Sequence, residues 1–533
     1  MNIASTAPLE RLKPLSDPQP MISFGTNLKT ESKAPSLDNE SCYRALAAKD
    51  SRFDGVFFVG VSTTGIYCRP ICTAKTPRPS SCSFYTGAAA AEAAGFRPCL
   101  RCRPELAPYA LQQNLAYAVW QRITAGALNH HADFADHSQK TEGGRLEQLA
   151  AEVGLSSRQL RRVLLQHFGV SPVELAQTQR LLFAKKLLHE TCLSMTDVAD
   201  AAGFGSIRRF NALFAARYGM APTALRRQHK SGAALPVSID DVVTVRLAYR
   251  PPFDWIQMLG YLQPRLIAGV ESVQLSQPHP AYIRSIRLDD LSGWLRVIHR
   301  VKPQQLEVQI SPSLTPMLMP ILARLRHQFD LDANPALITA HLRSDPALAR
   351  RIDAEAGIRV PGTFAPFELA VRAILGQQVS VVGASTLTAR LVSRFGTLCE
   401  TPFTSVTHHF PDAEILAELP AATLAGIGIP LSRAETIRNM ARYAAEGKLR
   451  IKPGATLTEI IAQLTAIPGI GNWTAHYIAL RALRFPDAFP AGDLGLQKAM
   501  ADAGGRLTEK QLAAVAADWT PWRGYAALLL WQI

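Results

Sequence analysis

The chain is 533 residues long, room for three or four domains at roughly 150 residues each. Hydrophobic residues make up 47% of it, enough to build several globular cores. The net charge of +14 favours a polyanionic partner, nucleic acid first, and the absence of any run of about eighteen apolar residues excludes a transmembrane helix.

Residues 1–38 are rich in Pro, Ser and other polar residues and lack the apolar core of a signal peptide, so a disordered leader is expected. Residues 39–110 combine a strand-like run, Gly55 to Val61, with two close cysteine pairs. The spacing is Cys68-x3-Cys72, then 26 residues, then Cys99-x2-Cys102. Four thiolates in two pairs suit tetrahedral zinc, which places no geometric demand of its own on sulfur ligands. Spacing alone reaches only a structural zinc site that staples a small α+β fold. Cys42, Cys82, Cys192 and Cys399 are scattered and read as isolated thiols. In a chain expected to be cytoplasmic, clustered cysteines point to a metal rather than to disulfides.

Residues 111–232 read as all-helical, with a polar internal loop at 129–144 rich in His, Asp and Ser. Two helix–glycine–helix patterns follow. In the first, Leu146, Leu149, Val153 and Leu155 pack against Leu160, Val163, Leu164 and Phe168 across Gly154. The second runs from Met195 past Gly203 to Tyr218. Arg145 to Lys230 holds thirteen Lys or Arg against six Asp or Glu, a net of +7. The exposed start of the first unit's second helix carries Ser157, Arg158, Gln159 and Arg162, and that of the second carries Ser206, Arg208, Arg209 and Asn211. Arg and Asn suit the edges of G and A, although most such arginines touch phosphate.

Residues 240–332 alternate strand-like runs, Val242 to Leu247 and Leu306 to Ile310, with a helix over Trp255 to Leu262. Residues 333–533 read as helical throughout. Within them I-P-G-I-G-N-W-T-A-H-Y, from Ile467, sets two glycines around an apolar residue in a tight turn between helices. Gly469 and Gly471 are both expected to take backbone angles that a Cβ forbids, so that amides at the start of the second helix cradle a phosphate oxygen. Asp493 follows Pro490-Ala491-Gly492, twenty residues past Trp473.

Three resemblances order these motifs. T-T-G-I-Y-C-R-P-I-C and A-A-G-F-R-P-C-L-R-C-R-P resemble the zinc domain of the Ada adaptive-response family. That resemblance implies one zinc, structural and reactive, on Cys68, Cys72, Cys99 and Cys102. It also implies methyl transfer to Cys68 from a methylphosphotriester, with Thr64 and Arg97 approaching the DNA backbone. Lys75 stands where that family can carry Arg. The paired helix–turn–helix units resemble the AraC type, which implies recognition helices in successive major grooves and RNA polymerase as an activator's partner.

R-P-P-F-D-W-I-Q-M-L-G-Y-L, V-R-A-I-L-G-Q-Q-V-S-V, I-P-G-I-G-N-W-T-A and P-W-R-G-Y-A-A-L-L-L-W resemble the 3-methyladenine DNA glycosylase II family, AlkA, of the helix-hairpin-helix class. The resemblance implies a TBP-like α/β subdomain before the helical domain. It places Asp493 at the sugar of a flipped nucleotide, Tyr261, Trp473, Tyr477 and Trp531 around the base, and Gly469, Gly471, Gln377 and Gln378 against DNA. Gln378 stands where relatives can have a wedging Leu. Trp473 occupies the position of the Schiff-base Lys of bifunctional lyases, so hydrolysis without strand cleavage is implied. No Cys follows Cys399, so no iron–sulfur cluster is expected. The P-C-H-R motif of the Ada alkylguanine transferase is absent.

The expectation is a mainly α, multidomain, cytoplasmic monomer with no membrane partner. It binds double-stranded DNA, both alkylated and promoter, and has a small α+β zinc domain, a double helix-turn-helix domain, an α/β subdomain and a helix-hairpin-helix glycosylase domain. The rival reading is a regulator whose glycosylase part only binds DNA. An intact carboxylate beside an aromatic cleft argues against it, because binding alone needs neither.

Overall fold

The computed structural model describes residues 38–104, 107, 115–129, 142–230, 242–276, 278–302, 304–352, 357–449, 455–501 and 505–531. Nearly all of the expected leader, most of the 129–144 loop and the Ser231 to Ser238 linker lie outside them. Among the described residues no helix is long and apolar enough to cross a membrane.

The N-terminal unit is a four-stranded sheet in the order β3-β1-β2-β4, with strands Phe58–Val61 (β1), Ile66–Cys68 (β2), Cys82–Tyr85 (β3) and Arg97–Pro98 (β4). β1 pairs antiparallel with β2 and β3, while β2 and β4 run parallel with Tyr67 opposite Pro98. That parallel register brings Cys68 and Cys99 to the same end of the sheet. Gly60 is required by packing: a Cβ there would lie 2.8 Å from the rings of Phe96 and Tyr85.

Each helix of the next region is set by local chemistry. Capping boxes at Ser156/Gln159, Ser171/Glu174 and Ser194/Asp197 satisfy N-terminal amides. Gly169 and Gly219, both at φ +70°, end helices Ser157–Phe168 and Ile207–Tyr218. A 19-residue linker helix, Pro172–Glu190, joins the two units. The first unit has a core of its own around Leu146, Leu149, Leu160, Leu164 and Phe168. The second does not: Phe210, Phe214 and Tyr218 belong to one continuous core with Val245, Val308 and Leu314 of the sheet region that follows.

That sheet has the order β5-β9-β8-β7-β6 and is antiparallel throughout, with strands Val243–Ala248 (β5), Glu271–Gln274 (β6), Ala281–Leu288 (β7), Leu291–Arg300 (β8) and Gln305–Ile310 (β9). The remainder is a helical domain whose core includes Val371, Ile374, Ile437, Met440, Ala475, Ile478 and Leu528. It is not helical throughout as expected. Thr397–Leu398 (β10) and His408–His409 (β11) pair antiparallel, because Thr407 and His408 donate their amides to the Gly269 carbonyl and tie the connection to the sheet region.

Candidate active site, metal centre and DNA interface

The turn between helices Leu457–Thr465 and Asn472–Arg481 carries the two glycines. Gly469 sits at φ +91°, and a Cβ on it would stand 1.9 Å from Thr436 Oγ1, so glycine is required twice over. Gly471 corrects the expectation. Its φ is −87°, in the extended region, and a Cβ would meet nothing within 4 Å. Its use is open space: it caps the helix without a side chain, leaving the first amides approachable by a backbone phosphate.

The Asn472–Arg481 helix presents Trp473 and Tyr477 one turn apart, with rings stacked at 5.3 Å and 10°. Tyr477 meets the edge of Trp531, from the helix Arg523–Trp531, at 6.2 Å. Asp493 lies at the end of this stack. Trp473 Nε1 donates to its Oδ2 at 2.9 Å and Trp531 Nε1 to its Oδ1 at 3.1 Å. The Leu496 amide donates to Oδ1 at 3.0 Å, since Asp493 also caps helix Leu494–Ala499. Three of a carboxylate's roughly four acceptor positions are thus filled. The group is fixed as a half-buried anion with little capacity left for a water.

Behind the aromatics the cleft is cationic, which the sequence reading missed. Arg265 lies 4.0 Å from the centre of the Tyr261 ring, Arg481 lies 5.1 Å from the same ring, and Arg481 Nη1 donates to Tyr477 Oη at 2.5 Å. Burial raises the Tyr261 hydroxyl above its usual range, and Arg481 opposes it. The i, i+4 spacing puts Trp473, Tyr477 and Arg481 on one helix face, but nothing local joins that face to Tyr261 and Arg265.

Gln377 and Gln378 follow helix Pro366–Leu375. Gln377 faces the protein: its Nε2 donates to the Gly469 carbonyl and to Thr474 Oγ1, both at 3.1 Å, while Arg433 Nη2 holds its carbonyl at 2.7 Å. Its side chain therefore joins this loop to the hairpin. Gln378 is exposed at φ +57°, an uncommon conformation for a non-glycine residue.

In the N-terminal unit the sulfurs of Cys68, Cys72, Cys99 and Cys102 all lie within 4.8 Å of one another. Zinc with Zn–S near 2.3 Å sets tetrahedral sulfurs about 3.8 Å apart, so the donor set fits one zinc ion. Four thiols this close cannot all ionise without a cation among them. Hydrogen bonds with Cys102, Cys72 and Cys99 push the Cys68 thiol up, while those with Cys102, Cys68 and Cys72 pull Cys99 down. Three sulfurs also receive backbone N–H groups: Cys72 from Ala74, Cys99 from Cys102, and Cys102 from Arg69 at 3.3 Å. Cys68 is half-exposed and Cys72 and Cys99 are buried. Thr64 and Arg97 are exposed.

Arg158, Gln159 and Arg162 are exposed on the first recognition helix, and Arg208, Arg209 and Asn211 on the second. Gln159 has a prior engagement, since its Oε1 accepts the Ser156 amide at 2.9 Å in the capping box.

A glycine hairpin beside a carboxylate held by two indoles, in a helical domain preceded by an antiparallel sheet, defines the helix-hairpin-helix base-excision class. Family models match the metal-binding domain of Ada at residues 41–105, a helix-turn-helix domain at 149–228, the AlkA N-terminal domain at 244–365 and the HhH-GPD superfamily base excision DNA repair protein at 371–522. A Mycobacterium tuberculosis protein described as a probable bifunctional transcriptional activator/DNA repair enzyme AlkA is 38% identical over 93% of this chain and 96% of its own length. The Escherichia coli DNA-3-methyladenine glycosylase 2 is 34% identical over 54% of this chain and 95% of its own. Among solved structures, the 3-methyladenine DNA-glycosylase of Archaeoglobus fulgidus matches at 22% identity and TM-score 0.46, covering 54% of this chain and 97% of that one. The chain belongs to the family of bifunctional activator/repair proteins that join an Ada-type zinc domain and helix-turn-helix domain to an AlkA-type glycosylase.

Proposed function

We propose that this protein releases alkylated bases from DNA by hydrolysing the N-glycosidic bond, and that it regulates the response to alkylation. The observation that carries the first part is Asp493, held by Trp473 and Trp531 at the mouth of an aromatic stack beside the phosphate-binding hairpin. An alkylated base reached by flipping leaves its sugar as an oxocarbenium-like cation. A fixed anion stabilises that charge without reorganising. With three donors already on it, Asp493 acts mainly through its field and only secondarily on water. The aromatic faces of Trp473 and Tyr477 attract a cationic base. With no amine at Trp473, an abasic site is the product rather than a nicked strand.

The regulatory part rests on the cysteine centre and the two basic recognition helices. When zinc is bound by Cys68, Cys72, Cys99 and Cys102 it holds these sulfurs as thiolates, the nucleophilic form. Cys68 is the best acceptor for a phosphotriester methyl group. It is half-exposed, as is Cys102, but Cys102 Sγ already accepts the Arg69 amide at 3.3 Å. Methylation converts one thiolate into a neutral thioether, weakening repulsion from DNA phosphates. Arg158, Arg162, Arg208, Arg209 and Asn211 then hold register on a promoter, with RNA polymerase as the partner and a cytoplasmic monomer as the working unit.

Measuring release of methylated bases from alkylated duplex DNA, wild type against Asp493→Asn, tests the first part. Mass spectrometry of the cysteine peptides after incubation with methylphosphotriester DNA tests the second. A methyl group on any residue but Cys68 overturns it.

A further inference from the structure

A largely buried chain of hydrogen bonds and ion pairs runs from the cysteine centre to Tyr525, on the helix that ends at Trp531 beside the glycosylase carboxylate. Arg69 donates its amide to Cys102 Sγ at 3.3 Å and Nη1 to the Cys102 carbonyl at 3.1 Å. The same guanidinium pairs with Asp54, Nε to Oδ1 at 2.8 Å. The Asp54 carbonyl accepts both Nε and Nη2 of Arg250, at 3.0 and 2.7 Å. Arg250 thus reaches out of the sheet region into the zinc domain. On its other side, Nη1 donates to the Asp332 carbonyl at 2.6 Å, and its own carbonyl accepts Arg359 Nη2.

From there the chain enters the helical domain. Arg359 Nη1 donates to the Asp330 carbonyl at 2.6 Å, and Asp330 Oδ2 accepts the Tyr525 hydroxyl at 2.8 Å. Tyr525 lies on the helix whose last residue, Trp531, donates to Asp493. A branch through Asp332 pairs with Arg326 and Arg484, the latter three residues beyond the helix that carries Trp473. Asp54, Arg69, Arg250, Arg326, Asp332, Arg359 and Tyr525 are all buried. Charges in such a place hold their geometry firmly, because a broken link leaves an uncompensated ion with no water to replace its partner.

We propose that the zinc domain positions the Trp531–Asp493 pair through this chain, with Arg250 as its joint, so that base release responds to the state of the four-cysteine centre. The proposal rests on the glycosylase reading above. Four thiolates and a divalent cation carry two net negative charges, and Arg69 is a cation beside them, as is Lys185 on the Cys99 carbonyl. Methylating or emptying the centre changes the balance Arg69 strikes between Cys102 and Asp54. That shift bears on the carbonyl Arg250 grips. Arg250 is a positioning residue, since it touches neither DNA nor Asp493. Spatial continuity is not itself coupling, so the test is a double-perturbation cycle.

The zinc-loaded full chain, wild type and Arg250→Met, is compared before and after zinc chelation. Three readouts are used: single-turnover release of methylated bases from dimethyl-sulfate-treated duplex, affinity for a duplex carrying a stable abasic analogue, and amide exchange over residues 523–531. Expected are a slowing of about threefold or more in Arg250→Met with affinity within about twofold, partial recovery in Arg250→Lys, and faster exchange of 523–531. Chelation slows wild type by a similar factor but adds nothing to Arg250→Met. Should Arg250→Met fold poorly, Tyr525→Phe, which removes one hydroxyl, must reproduce the slowing. Wild-type rates in both variants overturn the proposal, as do chelation and substitution effects that multiply. Failure of the glycosylase reading is separate: it shows as no base release by the wild type, or as release by Asp493→Asn within about tenfold of it.

Discussion

Asp493 performs two tasks, and they can be separated. As N-cap it accepts the Leu496 amide, and in the proposed reaction its charge acts on the sugar. Asparagine is as good a cap as aspartate, so Asp493→Asn should keep the fold and bind damaged DNA nearly as well, although its amide nitrogen leaves the Trp473 Nε1–H without an acceptor. It should lose base release by well over tenfold, since each decade corresponds to about 1.4 kcal/mol of barrier and the lost charge acts on the transition state. Residual release within about tenfold of wild type would sink the assignment. Asp493, Trp473 and Trp531 were picked out because P-A-G-D, P-G-I-G-N-W and P-W-R-G-Y-A-A-L-L-L-W resemble the glycosylase family, but the hydrogen bonds of the two indoles to Asp493 were not legible. The Arg265–Tyr261–Arg481 wall was not, because it assembles residues about 220 positions apart, and no local spacing encodes that meeting. The internal partner of Gln377 was not legible for a related reason: sequence gives no sign that its Nε2 reaches the Gly469 carbonyl, 92 positions away.

At the level of elements, the two hairpin glycines make opposite predictions. Gly469→Ala forces a Cβ onto Thr436 at a positive φ and should cost about 1–3 kcal/mol of glycosylase-domain stability. Gly471→Ala meets open space and should cost less than about 1 kcal/mol. It should still weaken binding to an abasic-analogue duplex if the hairpin grips a phosphate as proposed, because the new methyl fills the open space before the first amides. Denaturant melts beside a DNA titration separate the two effects. Helix boundaries here were readable from caps and glycines, but the β10–β11 pair was not, since two-residue strands carry no periodicity and this pair is anchored by the amides of Thr407 and His408 on the distant Gly269 carbonyl. That pair holds His409, which is buried, with Nδ1 unpartnered among the described residues. Burial, then Arg287 and Arg284, push its pKa down to about 4 from an ordinary 6.5. A folded value below the unfolded one means that neutral His409 contributes its stability above about pH 6.5, and that this is lost as pH falls toward 4. Substituting His409→Leu should flatten the fall in Tm across that window; an unchanged pH profile would show that His409 is not the group responsible.

Across the whole molecule, the regulator and the enzyme meet in a shared interior rather than through a tether alone. The second helix-turn-helix unit has no core of its own; Phe210 and Phe214 pack in the same cluster as Val245, Val308 and Leu314. At the edge of that cluster the linker helix grips β5, with Glu190 Oε2 accepting the Arg246 amide at 2.9 Å and Lys186 Nζ donating to the Arg246 carbonyl. Lys185, fully buried on the same helix, donates to the carbonyl of Cys99 at 3.1 Å. One helix therefore touches the cysteine centre, both DNA-reading units and the glycosylase sheet. Cooperative units of unfolding follow such cores rather than the order of motifs along a chain. Phe214→Ala should cost about 3–5 kcal/mol, the usual loss for a fully buried Phe. The loss should appear as faster amide exchange in β5 and β9 as well as in the helix that bears it. The first helix-turn-helix unit, with Leu149 and Leu164 in a separate cluster, should keep its protection, as should the helical core around Ile437 and Ile478. If exchange in β5 and β9 stays at the wild-type rate while the helix of Phe214 opens, the two halves unfold independently and the shared interior is only a contact between separate domains.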